Sequence, residues 1–208
     1  IVREPILAAL GAGIPINARS GNMIVNVGGG TSEVAVIALG NIVSWTSLRV
    51  AGNKFDQAVA DYVKKKYSIA IGEQTAERIK IEIGAALPSK EKMEYQFRGR
   101  NLISGLPRDL VINSNEIAEA LNPFLMEIAG SGQNAFNVTP PELVADIMEK
   151  GIILSGGSAQ LHYLPEFFER FLGVSTYIAE DPLFCVAKGT GLILEHLDKY
   201  KQTLLNKR

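Results

Sequence analysis

The stretch Met23-Ile-Val-Asn-Val-Gly-Gly-Gly-Thr-Ser-Glu-Val-Ala-Val-Ile37 decides how the rest of the chain is read. An apolar run enters Gly28, Gly29 and Gly30, a hydroxyl pair (Thr31, Ser32) follows, and a second apolar run leaves. Three glycines lose backbone entropy on folding and supply no side chain to pack. Two uses account for them. One is an ordinary glycine-rich hairpin turn; the other is a concavity of successive N–H groups that suits phosphate oxygens.

Working outward, residues 23–28, 33–39 and 42–50 read as three β-rich runs joined by Gly29-Gly-Thr-Ser32 and Gly40-Asn41, an antiparallel meander. Residues 53–66 follow helical spacing, with Phe55, Ala58, Val59, Tyr62 and Val63 on one face and Asp56, Asp61 ahead of Lys64, Lys65, Lys66, an order that suits the helix dipole. A helix over 75–86 is expected with Thr75 as cap, then strands at 93–98 and 108–113. Ser114 is read as the cap of a helix to about Ala129, and Gly130-Ser-Gly-Gln-Asn134 as a loop and domain boundary. Thr139-Pro-Pro-Glu142 starts another helix, and Gly151-Ile-Ile-Leu154 is a buried strand running into Ser155-Gly-Gly-Ser158 and a helix near Leu161. A strand at 174–178 and a helix from Asp181-Pro182 through Leu197 complete the order, which predicts an α/β fold with one mixed sheet flanked by helices. Residues 1–50 and 136–208 form the expected core, with 51–135 as a smaller inserted α+β part.

The composition bounds the partners. The 208 residues are 47% hydrophobic and 21% charged, with a formal net charge of −1, which argues against a general nucleic-acid binder. A single cysteine, Cys185, excludes an intrachain disulfide framework and fits a reducing compartment. No apolar run is long enough to span a bilayer and no signal-peptide pattern is present, so a cytoplasmic location is expected. The absence of an initiator Met before Ile1 fits a fragment.

A second glycine turn, Gly156-Gly157, also follows an apolar strand and precedes a helix, where a ligand would meet N–H groups and the positive end of a dipole. Neither turn fits the dinucleotide fingerprint or Walker A. Gly189-Thr-Gly191 lies within a helical pattern and reads as a close helix contact. Cys185 reads as a buried structural thiol, and His162 and His196 as surface or packed imidazoles without metal partners.

Residues 23–37 resemble the second phosphate loop of actin-like ATPases, Asp-x-Gly-Gly-Gly-Thr. Further runs resemble one branch, the MreB family of bacterial cell-shape proteins: Arg3-Glu-Pro-Ile6 with Gly11-Ala-Gly-Ile-Pro15, Gly72–Gly84, Arg100–Pro107, Thr139–Ile147, Gly151–Ser158 and Ala179–Leu183. The resemblance covers nearly the whole chain, in order, and corresponds to the C-terminal half of that family, its subdomains IIA and IIB. The Gly-Leu-Pro and Thr-Pro-Pro-Glu runs argue against a plasmid-segregation filament or a heat-shock ATPase.

The resemblance implies ATP and Mg²⁺ as cofactors. It places Gly28, Gly29, Gly30 and Thr31 at the phosphates, Glu77 and Lys80 near ribose and base, and Gly156, Gly157, Ser158 and Ala159 at the adenosine. Without it, Glu77 and Lys80 read as a solvated i,i+3 charge pair. Glu4 matches the acid that orients the attacking water with Thr31, and is also an ordinary first-turn acid beside Pro5. Two positions depart from the pattern. Ser158 replaces a third glycine, and Asn26 stands where the family carries an Asp that organises Mg²⁺ through water. Asn is a poorer partner for a hard cation, so slower hydrolysis is expected, and a non-hydrolysing structural member is the alternative reading. Glu33 sits on a strand and is not read as compensating. The resemblance further implies head-to-tail self-assembly, in which 51–135 contributes to the contact between subunits. It also implies a membrane-anchored shape-control partner on this half, and a location at the inner face of the cell membrane reached indirectly. Without the first phosphate loop, which the family carries in its other half, weak nucleotide binding and no turnover are expected. The basic tail (Lys199, Lys201, Lys207, Arg208) is read as solvated, with membrane contact as the alternative.

Overall fold

The computed structural model describes residues 1–198 and Tyr200; the basic tail lies outside them. The apolar runs of the opening motif become β1 (Asn22–Val27) and β2 (Ser32–Ala38), every residue of which is buried. With β3 (Asn41–Leu48), β7 (Ile152–Ser155) and β8 (Thr176–Ile178) they form a five-stranded sheet in the order β3-β2-β1-β7-β8. The β1–β2 and β2–β3 pairs are antiparallel and the β1–β7 and β7–β8 pairs parallel, so the sheet is mixed.

Side chains alternate across this sheet. Ile24, Ala35 and Ile37 face one side and pack with α1 (Glu4–Gly11), joined there by Ile193 of α7 (Cys185–Glu195). Met23, Val25, Val27, Val34 and Val36 face the other and pack in one core with residues of α2 (Gly52–Tyr67), α3 (Glu73–Ile83), α4 (Ser114–Val138), α5 (Pro141–Lys150) and α6 (Leu164–Leu172). A second sheet, β4 (Ile69–Ala70), β5 (Glu94–Asn101) and β6 (Pro107–Asn113), is antiparallel and lies within the segment read as inserted.

The α1–α7 contact is made through backbone. A Cβ on Gly189 would lie 1.9 Å from the Leu7 carbonyl oxygen, and one on Gly11 would lie 1.7 Å from that of Cys185. Gly189 therefore serves the close helix approach read from its pattern.

Several local expectations are corrected. Residues 130–134 are not a loop but part of α4. Small side chains there let the helix run past α6: a Cβ on Gly132 would touch Leu172 at 3.1 Å, and Ser131 Oγ donates to the Ile128 carbonyl at 2.6 Å. The cap of α4 is Asn113 rather than Ser114; its side chain accepts from the backbone N–H groups of Asn115 and Glu116, and Glu116 returns the bond to Asn113 N at 3.0 Å. Thr75 lies inside α3, which begins at Glu73 after Gly72. Asp181 precedes a 3₁₀ turn (Pro182–Phe184) and its carbonyl accepts from Phe184 N at 2.9 Å, but its side chain makes no cap bond and instead takes Lys188 Nζ at 2.7 Å. Cys185 is fully buried, and burial raises its pKa, as an inert structural thiol requires. Among the described residues, no helix is long and apolar enough to cross a membrane.

Candidate functional site

The two glycine turns meet. Ser158 Oγ donates to the Gly28 carbonyl at 3.1 Å, so β1 and β7, parallel neighbours, deliver both turns to one edge of the sheet. The start of α2 joins them: Gly52 N donates to Gly28 O at 3.0 Å and Asn53 N to Gly29 O at 2.8 Å. Between these turns, α3 and the segment around Leu183 lies a cavity of about 720 Å³, within the range of small-molecule sites.

Glu4, Asn26, Gly28, Gly29, Glu77, Lys80, Gly156, Gly157 and Ser158 line it. Gly30 is exposed at the turn and Thr31 half-buried beside it, both outside the wall, and Ala159 is buried beneath it. Asn53, Ile81, Gln160, Leu161, Pro182, Leu183 and Val186 line the cavity and were not singled out from sequence. Ile81, Pro182 and Leu183 lie in runs that resemble the family, Gly72–Gly84 and Ala179–Leu183, but only the tertiary fold brings them to the cavity.

The hairpin glycines separate the two uses that the sequence left open. The β1–β2 connection, Gly28–Thr31, is a four-residue loop, a length commonly built on a type I turn that needs no left-handed residue. The two-residue β2–β3 turn does use left-handed residues, Leu39 at φ 51° and Gly40 at φ 73°. Gly28, Gly29 and Gly30 are absent from the left-handed set. Protein packing does not require glycine at the tip either: a Cβ on Gly30 would meet nothing within 4 Å, and one on Gly29 only Asn53 Oδ1 at 3.6 Å. What the missing side chains leave is open room over the backbone at the cavity mouth.

The second turn is constrained differently. Gly156 has φ +87°, and its Cβ would lie 2.3 Å from Val27 O. It leads into a single 3₁₀ turn (Gly157–Gln160), and α6 begins only at Leu164. The helix dipole expected at this turn is therefore not there. Ser158 lies outside the positive-φ set, so it replaces the third glycine without backbone strain.

At the floor, Asn26 Nδ2 donates to Glu4 Oε1 at 2.9 Å and Asn26 Oδ1 accepts from Ser155 Oγ at 3.0 Å. Its neutrality thus serves a purpose: an aspartate here has no proton to donate to Glu4. Glu33, the cross-strand partner of Asn26, is 7% exposed and lies behind the wall. Burial, then the nearby Glu4, raise its pKa to about 7, against smaller opposing hydrogen bonds from Trp45 and Ser47.

An acid whose pKa rises on folding keeps its proton in the native state after the unfolded chain has lost it. Stability is therefore full below about pH 4.5, falls up to about pH 7, and is flat above. Glu33→Gln is expected to remove up to about 1.4 kcal/mol per pH unit of this slope. Urea midpoints at pH 5, 6 and 7 check it; an unchanged slope contradicts it.

Lys80 lines the cavity, but its ammonium pairs with Asp56 Oδ1 at 2.8 Å and donates to Gly52 O at 3.4 Å. Asp56, read from sequence only as an acid early in its helix, is buried; burial raises its pKa, with Lys80 opposing the rise and the nearby Glu77 and Glu73 adding to it. Its position beside the Phe55–Val59 stripe was the available signal. Among the described residues, no group of three or more His, Cys, Asp or Glu side chains is arranged to hold a metal ion.

Comparison with known proteins accords with this geometry. The model of the MreB/Mbl protein family matches residues 1–202. The chain belongs to the MreB/Mbl family. It is 47% identical over 200 residues to the cell shape-determining protein MreB of Escherichia coli K12, covering 96% of this chain and 58% of that protein. It is 43% identical over 203 residues to the cell shape-determining protein Mbl of Bacillus subtilis 168, covering 98% and 61%. The crystal structure of MreB5 of Spiroplasma citri bound to ADP superposes with a TM-score of 0.91 at 38% identity, covering 96% of this chain and 61% of that one. The fold is therefore the actin-like α/β fold of this family, and the chain spans about three fifths of the length of these MreB/Mbl relatives.

Proposed function

We propose that this chain is the nucleotide-binding C-terminal half of an MreB/Mbl-type filament protein acting in cell shape. The observation that carries the reading is the open room over Gly29 and the neighbouring Gly30, where neither backbone geometry nor packing demands glycine, with Gly29 in the wall of a cavity shared with Gly156, Gly157 and Ser158. The S. citri relative was solved with ADP, and this cavity is of a size for such a ligand. ATP phosphates would bear on Gly28, Gly29, Gly30 and Thr31, and the adenosine would lie between Glu77 and Lys80 on one side and the Gly156–Ala159 turn on the other. Mg²⁺ would be held by the phosphates and water, with Asn26 and Glu4 the nearest protein groups. Glu4 would orient the attacking water with Thr31; phosphoryl transfer needs mostly positioning and charge stabilisation. Asn26 fixes one Glu4 oxygen, which supports slower hydrolysis than an aspartate at that position would allow.

Assembly would be head to tail, a heterologous contact that propagates rather than closes. The inserted part, 51–135, offers a surface for it. At the β5–β6 turn, Asn101 Oδ1 accepts from Ile103 N and Ser104 N, and Gly105 adopts φ +75°, fixing an apolar tip. Ile103 is 87% exposed there and Leu106 66%. A membrane-anchored partner on this half and a place at the inner membrane face belong to the same reading.

The test is ATP-dependent sedimentation of the full gene product. The parent protein should pellet, and Ile103→Asp should raise the critical concentration at least about tenfold, the loss of one buried isoleucine being about 2 kcal/mol. An unchanged critical concentration removes the tip from the contact, and no ATP-dependent pellet in the parent refutes the filament reading.

A further inference from the structure

The Asp56–Lys80 pair has no obvious reason to exist as a stabilising device. Burying two charges incurs a desolvation cost, and apolar replacements of such pairs are often neutral or better. Yet Asp56 is only 6% exposed, and Lys80 is drawn back from the cavity it lines. What the pair does have is location. Gly52 and Asn53, the first residues of α2, donate to the carbonyls of Gly28 and Gly29. There is little room for these segments to shift: a Cβ on Gly52 would lie 3.1 Å from Ser158 Oγ, 3.3 Å from Gly28 O and 3.4 Å from Gly29 Cα. One turn further along α2 comes Asp56. Lys80, from α3, reaches across to its carboxylate and to the Gly52 carbonyl at once. Hairpin, α2 and α3 are thus linked by hydrogen bonds and one ion pair, in which the Lys80 ammonium ties α3 to α2 through the Gly52 carbonyl and the Asp56 carboxylate.

We propose that Asp56 is a positioning residue that couples the Gly28–Gly30 hairpin to α3, by holding Lys80 against the first turn of α2. A phosphate group bearing on the hairpin then restrains α3 without touching it, and the orientation of the inserted part reports whether the phosphate side is filled. The inference rests on the nucleotide-site reading above.

Hydrogen exchange of the 208-residue chain, read amide by amide by NMR, tests it with two probes. Inorganic pyrophosphate has no ribose or base to reach α3, and ADP fills the whole site. In the parent chain, pyrophosphate should shift the Gly28–Gly30 amides and slow exchange across Glu73–Ile83, by up to about a hundredfold at a hundred times its Kd if opening of α3 and binding exclude each other. Asp56→Asn should keep the hairpin shifts, with Kd within about threefold, and lose the slowing in α3. Lys80→Gln should also lose the slowing in α3, and the double variant should add nothing further to that loss, because one linkage is broken in all three. Lys80→Arg, which keeps a cation, should retain the slowing. If Asp56→Asn does not fold, the Lys80 pair of variants decides alone.

Slowing of α3 by pyrophosphate that persists in Asp56→Asn or Lys80→Gln overturns the proposal, as does a parent chain whose hairpin shifts while α3 is unaffected. A loss of hairpin shifts together with the α3 effect in the variants makes the pair merely structural and overturns it too. A parent chain whose hairpin is silent to both probes refutes the underlying nucleotide site, a different result from any of these.

Discussion

Gly156→Ala should lower stability by about 3–5 kcal/mol and abolish nucleotide binding. Two costs add. The backbone at Gly156, φ 87° and ψ 161°, lies in a region essentially reserved for glycine, which costs a side chain about 1–3 kcal/mol. The new Cβ would also fall 2.3 Å from Val27 O, 2.5 Å from Val27 C and 2.9 Å from Val27 N. These are backbone atoms of the central strand, which cannot swing aside as a flexible side chain would, and overpacking of this kind costs a further 1–3 kcal/mol or about that. Relief requires the Gly156–Ser158 turn to back away from β1, which breaks the Ser158–Gly28 bond and separates the two turns that share the cavity. Gly173→Ala is the control, since Gly173 also has positive φ (+70°) but nothing within 4 Å; it should cost only about 1 kcal/mol. Urea unfolding of the two variants side by side measures the difference, and equal midpoints contradict the account.

Gly189→Ala comes next in size. Adding a methyl group inside a helix ordinarily gains about 1 kcal/mol relative to glycine. Here the Cβ would sit 1.9 Å from Leu7 O, so α7 and α1 must move apart by more than an ångström along their whole contact. That opens the layer formed with Ile24, Ala35 and Ile37 and shifts Glu4, carried on α1, away from Asn26. A net loss of about 3 kcal/mol is expected, at the upper end of overpacking costs. Gly191→Ala, two residues on in the same helix, meets nothing within 4 Å and should stabilise by up to about 1 kcal/mol. Opposite signs at positions two residues apart are the signature; a shift of the same sign at both would mean that the helix contact is not backbone to backbone.

Much of this architecture is legible in the amino-acid order because it is locally encoded. The largely apolar runs at 22–27, 32–38 and 152–155, short and bounded by glycine, read as buried strands, and the stripe Phe55, Val59, Val63 reads as facing a core. The errors fall where tertiary contact overrides local chemistry. Gly130-Ser-Gly-Gln-Asn134 has the composition of a loop, yet the passage against Leu172 makes small residues the right choice for a buried helix. Thr75 and Asp181 are good capping types at positions that another residue or an ion pair governs. At the candidate site, both glycine turns could be found from sequence, because glycine after an apolar strand is a local signal. The burial of Asp56 had a signal beside the Phe55–Val59 stripe, but its pairing did not, because Lys80 is 24 residues away and on a different helix.

The claim that supports everything else is that the turns at 28–31 and 156–159 hold one nucleotide between them. An ADP titration of the isotopically labelled chain, followed at the backbone amides, tests it most directly. The amides of Gly28, Gly29 and Gly30 and those of Gly156, Gly157 and Ser158 should move together along a single saturating isotherm, with the Gly173 amide unmoved. Shifts confined to one turn, two different isotherms, or no shift at either would contradict it.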